Sequence, residues 1–493
     1  MRLKELLDGI EFYQTSESIK DINIVNVEMD SRKVEPGSLF VCIEGYTVDG
    51  HNFLQQAIDK GAAAAVISRD VNVSGDIPLI RVRDTGRALA MLSAAYYDYP
   101  TTKFPLIGVT GTNGKTTTTY LLDTIFEKQG KKSGVIGSIQ VKIGDETFPV
   151  NNTTPDALEL NRIFHQMQKK ETDQVIMEVS SHALDMGRVF GCDYDIGIFT
   201  NLSQDHLDYH KDMDDYLRAK SLLFAGLGND YHQGKKKYAI INEDDASSDL
   251  LKRSTAQQVL TYSCKQDADI MAKNIMLSPA GVAFNLVTPI GTVHIKTGLI
   301  GMFNVYNMLA ASGAAIASKV DLDVIKEALE NTKGVDGRFE PINEGQDFSV
   351  IVDFAHTPDS LENVLQTSKE FAERKVYVVV GCGGDRDRTK RPLMADVAVK
   401  YADHALFTSD NPRTEDPVQI LDDMTSHLTE EEATFEVIVD RTEAIKHAVK
   451  LAQKDDIILI AGKGHETYQI IGKKKFDFDD RQIAREAIKE KGE

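Results

Sequence analysis

One glycine-rich segment constrains the fold of this chain more than any other. Residues 108–118 read Gly-Val-Thr-Gly-Thr-Asn-Gly-Lys-Thr-Thr-Thr, between an apolar segment at 104–107 and an amphipathic segment at 119–128. A strand, a glycine loop ending in Gly-Lys-Thr and a helix form the context of a phosphate-binding loop. We therefore predict a nucleoside-triphosphate site in an α/β unit at this point of the chain.

The residue types in this loop suit the binding of phosphate. Glycines let the backbone amides surround a polyphosphate, and the helix N-terminus adds partial positive charge. The loop departs from the usual G-x4-G-K-[ST] spacing, because Val109 stands where a glycine is expected. A glycine-rich turn that binds no nucleotide is the alternative, but it leaves the Gly-Lys-Thr triplet without a role. The candidate ATP-binding residues are Gly111, Thr112, Asn113, Gly114, Lys115, Thr116 and Thr117.

The composition limits the class of protein. The chain has 493 residues, so roughly two to four domains are expected. Asp and Glu (76) outnumber Lys and Arg (56), and the net charge of −20 argues against binding to nucleic acid or anionic membranes. The four cysteines form no C-x-x-C pair, which favours reduced thiols and a cytoplasmic location. The N-terminus lacks a signal-peptide core and no apolar run approaches ~18 residues, so we expect no membrane insertion.

Alternating strand and helix patterns predict an α/β fold with three domains. We assign residues 1–98 to a small N-terminal α/β domain, 99–333 to a central phosphate-loop ATPase domain, and 334–493 to a C-terminal Rossmann-like doubly wound domain. Polar loops at 30–32 and 45–50 of the first domain, taken alone, are typical of plain turns. In the last domain, charged loops follow three apolar strands, which indicates a ligand site at the strand C-termini.

The central domain carries further candidates for metal binding. Glu178 ends an apolar strand, where a carboxylate often completes the Mg²⁺ shell of a phosphate-loop protein. The loop at 201–210 contains His206 as a candidate ligand, with Asp205, Asp208 and His210 available to orient it. From spacing alone, a solvated loop is the favoured interpretation. Lys220 lies among apolar residues of the next helix, where a snorkelling surface lysine is the plain alternative.

Four motifs, taken in order, resemble the Mur ligases, the ATP-dependent amide-bond ligases of peptidoglycan precursor synthesis. They are Gly-Thr-Asn-Gly-Lys-Thr at 111–116, Glu-Val-Ser-Ser-His at 178–182, Asn-Leu-Ser-Gln-Asp-His-Leu-Asp at 201–208 and Ala-Lys-Ser-Leu-Leu-Phe at 219–224. The resemblance covers essentially the whole chain. It implies ATP and Mg²⁺ as cofactors, with Thr116 and Glu178 serving one ion and His206 and a carbamylated Lys220 (N6-carboxylysine) the other. Lys115, Lys220 and His206 are then the catalytic candidates.

The resemblance also assigns the substrates. Asn304 and Arg338 are expected near the nucleotide. A UDP-N-acetylmuramoyl-L-alanyl-D-glutamate site is implied at Ser31, Tyr46, Thr47, Val48, Asn152, Thr153, Thr154, Ser180 and Arg188. A site for meso-diaminopimelate is implied at Arg386, Asp410, Asn411, Pro412, Arg413, Gly462 and Glu466. Arg413 offers a planar two-donor cation for the extra carboxylate that distinguishes diaminopimelate from L-lysine.

Three alternatives stay open from the sequence. The first is the same ligase type adding L-lysine, and the second is a folylpolyglutamate synthetase, against which the separate N-terminal domain argues. The third is a nucleotide-switched binding protein that performs no ligation. We expect a monomer whose partners are small-molecule substrates.

Overall fold

The computed structural model describes residues 1–10, 12–15, 19, 21–45, 48–150, 152–229, 236–278, 281–332, 334–429 and 434–492. Within these ranges the strands form sheets of five, eleven, six and two strands. Tyr46 and Thr47, two of the predicted UDP-substrate residues, lie outside the described residues. No helix of the described ranges is long and apolar enough to cross a membrane.

The N-terminal unit is a five-stranded sheet in the order β1-β5-β4-β3-β2, parallel except for β1. Residues of β4 alternate between two cores because α1 and α3 pack on one face and α2 on the other. Its elements are α1 (Leu3–Leu7), β1 (Gln14–Thr15), β2 (Val27–Glu28), β3 (Leu39–Val41), a 3-10 helix (Gly50–Phe53), α2 (Leu54–Asp59), β4 (Ala64–Ile67), β5 (Leu79–Arg81) and α3 (Thr85–Tyr96).

The central unit is built on the eleven-stranded sheet. After a 3-10 helix (Pro100–Thr102), its strands are β6 (Leu106–Thr110), β7 (Ser133–Ile136), β8 (Val141–Ile143), β9 (Glu146–Phe148), β10 (Gln174–Glu178), β11 (Ile196–Phe199), β12 (Tyr238–Asn242), β13 (Gln258–Ser263), β14 (Ile270–Ser278), β15 (Gly281–Thr288) and β16 (Gly291–Thr297). Its helices are α4 (Lys115–Lys128), α5 (Ala157–Lys169), α6 (Ser181–Asp185), α7 (Met213–Ala225), α8 (Ser248–Arg253), α9 (Met302–Ala317) and α10 (Leu322–Asn331).

Strand order in this sheet brings the predicted site loops together. The parallel strand β6 lies between β10 and β11, so the phosphate loop, Glu178 and the loop after β11 leave the sheet at the same edge. The antiparallel segment predicted at 267–300 is confirmed as β14, β15 and β16, which extend the central sheet through a parallel pairing of β14 with β13.

The C-terminal unit is a six-stranded sheet in the order β17-β18-β22-β19-β20-β21, parallel except for β17. Its strands are β17 (Glu340–Ile342), β18 (Ser349–Asp353), β19 (Val376–Val380), β20 (His404–Phe407), β21 (Phe435–Val437) and β22 (Ile457–Ala461), followed by the hairpin β23 (Tyr468–Ile471) and β24 (Lys474–Asp477). Its helices are α11 (Pro358–Phe371), α12 (Lys390–Tyr401), α13 (Pro417–Thr425), α14 (Arg441–Leu451) and α15 (Asp480–Gly492).

Helices cover both faces of this C-terminal sheet. One core contains residues of α11, α12 and α13, and the other contains residues of α14 and α15. The fully buried Arg441 of α14 donates two hydrogen bonds to Asp480 of α15, from Nε and Nη2, both at 2.8 Å. The predicted α/β architecture with a doubly wound C-terminal unit is confirmed.

Candidate active site

The phosphate loop connects β6 to α4 and packs tightly against the loop after β11. Gly111 has φ +150°, and a Cβ there would lie 1.8 Å from Thr200 Oγ1, so only glycine fits. Asn201 fixes the loop by accepting hydrogen bonds from Thr112 N (2.8 Å, to its carbonyl) and Asn113 N (2.9 Å, to Oδ1). The loop is therefore shaped before any ligand binds.

Lys115 points back over this loop. Its Nζ donates to the carbonyl oxygens of Gly111 (2.9 Å) and Thr112 (2.8 Å). Burial lowers the pKa of Lys115, while the carboxylates of Glu178 and Asp205 act in the opposite direction. Two carbonyl contacts are weak partners for a buried ammonium, so an anionic phosphate would be a stronger one.

Thr116 and Glu178 form the hydroxyl and carboxylate pair expected of a metal site. Thr116 Oγ1 donates to Glu178 Oε2 at 3.0 Å, and Glu178 is fully buried. Ser138 holds the same carboxylate through its backbone N (2.8 Å to Oε1) and its hydroxyl (3.0 Å to Oε2). A Cβ at Gly137 would lie 2.4 Å from Glu178 Oε1, so a glycine is needed to admit this carboxylate.

Arg338 brings a cation from the C-terminal unit to the same point. Its Nη2 donates to Thr116 Oγ1 at 3.2 Å, and its guanidinium lies 4.5 Å from the centre of the Phe354 ring. Burial lowers the pKa of Arg338, with Asp353 and Glu178 partly offsetting it. The predicted nucleotide residues Thr116 and Arg338 are thus in contact, although 222 residues separate them.

Helix α7 carries Lys220 into the interior rather than along its surface. Lys220 is 1% exposed, and its Nζ lies 4.3 Å from the centre of the Tyr216 ring. Burial, and then the charge of Lys115, lower the pKa of Lys220 well below its ordinary value. The snorkelling alternative is therefore wrong. A lowered pKa raises the neutral fraction of the amine, which is the form that reacts with CO₂.

The loop after β11 places His206 beside this lysine. His206 has φ +57°, its Nε2 lies 3.4 Å from Asp205 Oδ2, and its ring meets that of His182 edge-on at 4.8 Å. Burial lowers the pKa of His206, and the charges of Lys220 and Lys115 add to that effect.

The His210 ring is buried and bonds to the Ser181 hydroxyl at 2.9 Å and to Asp215 at 3.3 Å, and not to the His206 ring. The His210 backbone N donates to the His206 carbonyl at 2.9 Å, so the contact between the two histidines is made through the backbone. Asp208 is exposed to solvent. Asp205 is therefore the carboxylate that lies against His206.

The described ranges contain no group of three or more His, Cys, Asp or Glu side chains arranged to hold a metal ion. The donors present still fit Mg²⁺, which prefers oxygen ligands and commonly keeps phosphate or water in its shell. Thr116 and Glu178 supply oxygen atoms 3.0 Å apart. Lys220 fits only as a carbamate, because an ammonium cannot ligate a cation.

Asn304 lies in the first turn of α9. Its Nδ2 donates to Ile300 O at 2.9 Å, while the N-cap of the helix is Gly301. Asn307 of the same helix approaches the loop directly, since a Cβ at Gly114 would lie 2.4 Å from Asn307 Oδ1.

Several predicted residues of the muramoyl-peptide site meet at the end of β10. Thr154 Oγ1 donates to Glu178 O (2.8 Å) and accepts from Ser180 N (3.0 Å), while Arg188 Nη1 donates to Thr154 O (3.1 Å). The hydroxyls of Thr153 and Ser138 lie 3.1 Å apart. This group therefore adjoins Glu178, the predicted metal ligand.

The other predicted UDP-site residues lie apart from this group. Ser31 is buried in the N-terminal unit and donates to Gln56 Oε1 at 2.8 Å. Val48 and Asn152 are exposed. Among the described residues, no hydrogen bond joins Ser31 or Val48 to the group at β10.

The predicted amino-acid site forms where three neighbouring strands of the C-terminal sheet end. Gly462 and Glu466 follow β22, Arg386 follows β19, and Asn411 and Arg413 follow β20. Asn411 Nδ2 donates to Glu466 Oε2 at 3.0 Å, which joins two of these loops. Pro412 is buried between them, as is Asp410.

Arg413 is held by the hairpin β23–β24. Its N donates to Ile470 O (3.0 Å), and its carbonyl accepts from Gly472 N (2.6 Å). Its φ is +52°, an uncommon backbone conformation for a non-glycine residue. Its Nη1 donates to Gly384 O at 2.6 Å, and burial, followed by repulsion from Arg386, lowers its pKa. A bound carboxylate would relieve that repulsion.

Sequence reasoning missed three residues that complete these contacts. Asp359 Oδ2 accepts from Asn113 Nδ2 (2.8 Å) and Ser203 Oγ (3.1 Å), which ties the C-terminal unit to the phosphate loop. Asn201 shapes that loop, and its position at the start of the motif at 201–208 could have indicated this role. Lys463 is fully buried beside Glu466, and its position between two glycines was the signal there.

Profiles of three domain families match this chain. The Mur ligase family, catalytic domain, matches residues 23–97, the Mur ligase middle domain matches residues 109–315, and the Mur ligase, glutamate ligase domain, matches residues 337–464.

A curated relative is similar over the full length. The UDP-N-acetylmuramoyl-L-alanyl-D-glutamate--2,6-diaminopimelate ligase of Oceanobacillus iheyensis is 67% identical over 493 residues, covering 100% of both chains. A solved structure of a ligase with the same name is 35% identical, with a TM-score of 0.70 and 99% of both chains covered. A Mycobacterium tuberculosis folylpolyglutamate synthase covers 76% of this chain and 92% of its own at 16% identity and a TM-score of 0.63, which shows a shared fold alone.

Proposed function

Since the chain belongs to the Mur ligase family, we propose that it joins meso-diaminopimelate to UDP-N-acetylmuramoyl-L-alanyl-D-glutamate at the expense of ATP. The reaction is a step of peptidoglycan precursor synthesis. The observation that carries this proposal is 67% identity over the whole chain to a ligase named for these two substrates. The geometry supports it, because the C-terminal unit bonds to the phosphate loop and its helix through Arg338 to Thr116 and Asn113 to Asp359.

The first step activates the substrate carboxylate. A carboxylate oxygen of the muramoyl dipeptide attacks the γ-phosphorus of ATP, and the bond between the γ-phosphorus and the β-phosphate oxygen breaks. ADP departs, and the dipeptide becomes an acyl phosphate. Lys115 would turn from the Gly111 and Thr112 carbonyls to the phosphates, where negative charge accumulates. Arg338, already bonded to Thr116, adds a second cation from the other side.

Two metal positions are part of this proposal, as the family resemblance implies. Thr116 and Glu178 would hold one Mg²⁺, and His206 with a carbamylated Lys220 would hold a second. When bound, these ions supply positive charge to the phosphoryl group in transfer. The carbamate would form when the neutral Lys220 amine adds to CO₂ and releases one proton.

The second step forms the amide bond. The neutral amine of diaminopimelate attacks the acyl carbon, inorganic phosphate leaves with its bonding electron pair, and the amine loses a proton. Arg413 would pair with the distal carboxylate of diaminopimelate, and Glu466 with the distal ammonium. Arg386, Asp410, Asn411, Pro412 and Gly462 would complete this site.

Each of the three units would bind a different part of the substrates. We assign the uridine end to residues 1–98, ATP and the muramoyl peptide to residues 99–333, and diaminopimelate to residues 334–493. Thr153, Thr154, Ser180 and Arg188 would lie along the muramoyl peptide, because they adjoin Glu178. The cytoplasmic location and the monomeric state stay predictions.

A phosphate-release assay with omitted substrates tests the proposal. Release should require ATP, the UDP-muramoyl dipeptide and meso-diaminopimelate together, and folate should replace none of them. ATP hydrolysis that is indifferent to the amino acid would favour a nucleotide-switched binding protein instead. Calorimetry with the UDP-muramoyl dipeptide and with folate separates the ligase from a folylpolyglutamate synthetase, because only the true substrate should bind.

A further inference from the structure

A fully buried lysine beside the amino-acid site has no part in the chemistry described above. Lys463 follows β22 between two glycines and is 0% exposed. Its Nζ donates to Glu466 Oε2 at 2.8 Å and to Asn411 Oδ1 at 3.1 Å. Its position is therefore fixed by two residues that the proposed function assigns to diaminopimelate.

The surroundings make this lysine dependent on Glu466. The rings of Tyr468 and Phe478 lie 5.6 and 5.9 Å from Lys463 Nζ, so its environment is largely aromatic. A buried ammonium is costly unless it is paired and hydrogen-bonded, and the Glu466 carboxylate supplies that pairing. Removing the Glu466 carboxylate would leave the buried Lys463 ammonium with only the Asn411 oxygen as a hydrogen-bond partner among the contacts described.

Asn411 closes the network on the opposite side. It donates to Glu466 Oε2 at 3.0 Å and accepts from Ile470 N at 2.9 Å through Oδ1, the same oxygen that Lys463 contacts. Glu466 Oε2 therefore has two donors before any substrate arrives. The Glu466 carboxylate is held by Lys463 and Asn411, with the Tyr468 hydroxyl as a further hydrogen-bond partner.

The charge balance of the site has a consequence for specificity. Because Lys463 already neutralises Glu466, a substrate ending in a bare ammonium gains little from that carboxylate and meets the positive charge of Arg413. A substrate end that carries both an ammonium and a carboxylate adds no net charge, and its carboxylate pairs with Arg413.

We propose that Lys463 is a positioning residue that fixes Glu466 and makes the site select an amino acid with a zwitterionic distal end over one with a bare distal amine. The inference rests on the proposed function, since it concerns the same amino-acid site. L-lysine is the matching substrate with a bare amine.

Steady-state kinetics of Lys463→Met test this role. The variant should raise the KM for meso-diaminopimelate by at least about tenfold, the scale of one charge-assisted hydrogen bond, with kcat changed by less than about threefold. Its preference for diaminopimelate over L-lysine should fall by at least about tenfold. Lys475→Met is the matched control, because Lys475 Nζ lies 4.0 Å from the Tyr468 ring centre but is on an exposed strand.

A double-mutant cycle with Glu466→Gln separates positioning from general packing. If Lys463 acts through Glu466, the double variant should match the more damaging single variant, whereas independent effects would multiply and would contradict the proposal. The Lys463→Arg variant retains the positive charge, so it should retain the preference for diaminopimelate. Loss of that preference in Lys463→Arg would also contradict the proposed role of Lys463. This second variant keeps the test decisive if Lys463→Met fails to fold, as judged by circular dichroism.

Wild-type activity distinguishes the two proposals. Suppose that the wild type releases phosphate with diaminopimelate and that a folded Lys463→Met variant has an unchanged KM and substrate preference. That result overturns the role of Lys463 and leaves the proposed function intact. A wild type that releases no phosphate with diaminopimelate overturns the proposed function and this inference with it.

Discussion

The Arg338 guanidinium donates to the Thr116 hydroxyl at 3.2 Å, from the start of the C-terminal unit to the first turn of the phosphate-loop helix. The same hydroxyl donates to Glu178, so one oxygen links the cation, the carboxylate and the loop. The geometry of the ATP site therefore depends on how the central and C-terminal units meet.

We expect Arg338→Lys to weaken use of ATP by about 10- to 100-fold in kcat/KM, because a lysine cannot reproduce the planar contact with Thr116 and the Phe354 ring. The effect should appear in titrations of ATP rather than of the amino acid. Arg374→Lys, at a largely exposed arginine of the same unit, is the control and should leave both titrations unchanged. Equal effects on the two titrations would argue against a nucleotide role.

Lys115→Ala should reduce turnover by at least about 10³-fold while the chain stays folded, because the ammonium meets charge that builds up during phosphoryl transfer. Phosphate release and circular dichroism provide the two readouts. Lys128→Ala, at the exposed end of the same helix, should be active. Near-normal phosphate release by folded Lys115→Ala would refute the assignment.

Lys220→Ala should be nearly inactive and partly rescued by small carboxylates that occupy the position of the carbamate. Intact-protein mass spectrometry should show one added CO₂ on the wild type and none on the variant. Exposed Lys211→Ala is the control. Full activity of Lys220→Ala in CO₂-free buffer would exclude a catalytic carbamate.

The lowered pKa of Lys220 also predicts how stability depends on pH. Without CO₂, the buried ammonium destabilises the fold most at low pH, and this penalty shrinks as pH rises from the lowered folded pKa towards the unfolded value of about 10.4. Bicarbonate should therefore raise the Tm of the wild type near neutral pH, since the carbamate forms on the folded chain only. The Tm of Lys220→Met should not respond.

Asp353 gives a second prediction about pH. Its carboxylate accepts from Phe339 N (2.6 Å) and Ala355 N (2.7 Å), and burial raises its pKa to about 6. Because the folded pKa exceeds the unfolded one, the folded state binds more protons at acid pH. As the pH rises from about 5 to about 7, Asp353 should therefore lower the free energy of unfolding by about 1 kcal/mol.

Calorimetry of Asp353→Asn measures that effect. The difference in Tm between the two pH values should shrink relative to the wild type, because the amide does not titrate. Exposed Asp145→Asn should keep the wild-type difference. An unaltered pH dependence in Asp353→Asn would show that another group is responsible.

Arg413→Ala should lose at least ~2 kcal/mol of transition-state stabilisation with meso-diaminopimelate, the scale of a charge-assisted hydrogen bond to its distal carboxylate. The measurement is kcat/KM for diaminopimelate and for L-lysine in both proteins. Activity with L-lysine in the wild type, or retained diaminopimelate activity in the variant, would contradict the specificity while leaving the ligase assignment intact.

The sequence was most informative where structure is local. A phosphate loop is a contiguous segment, so the spacing of Gly111, Gly114 and Lys115 predicted both its place and its flanking strand and helix. The alternation at 267–300 predicted antiparallel strands for the same reason. The insertion of β22 between β18 and β19 was not predicted, because strand order depends on long-range packing.

Sequence patterns could not predict contacts between segments that are far apart in the chain. Asp359 bonds to Asn113 across 246 residues, and no periodicity signals such a pairing. The burial of Lys220 was equally hidden, since a lysine among leucines is usually a surface residue whose stem packs on the apolar face. The spacing of the loop also could not show that His210 contacts His206 through its backbone while its ring bonds to Ser181 and Asp215.

A competition assay with product identification tests the ligase reaction and its amino-acid specificity together. Wild-type protein is incubated with ATP, the UDP-muramoyl dipeptide and equal concentrations of meso-diaminopimelate and L-lysine, and the UDP-linked products are identified by mass spectrometry. The proposed function predicts the diaminopimelate tripeptide with ADP and phosphate in equal amounts, and at most a trace of the lysine product. Comparable amounts of both tripeptides, or ATP hydrolysis without any tripeptide, would contradict it.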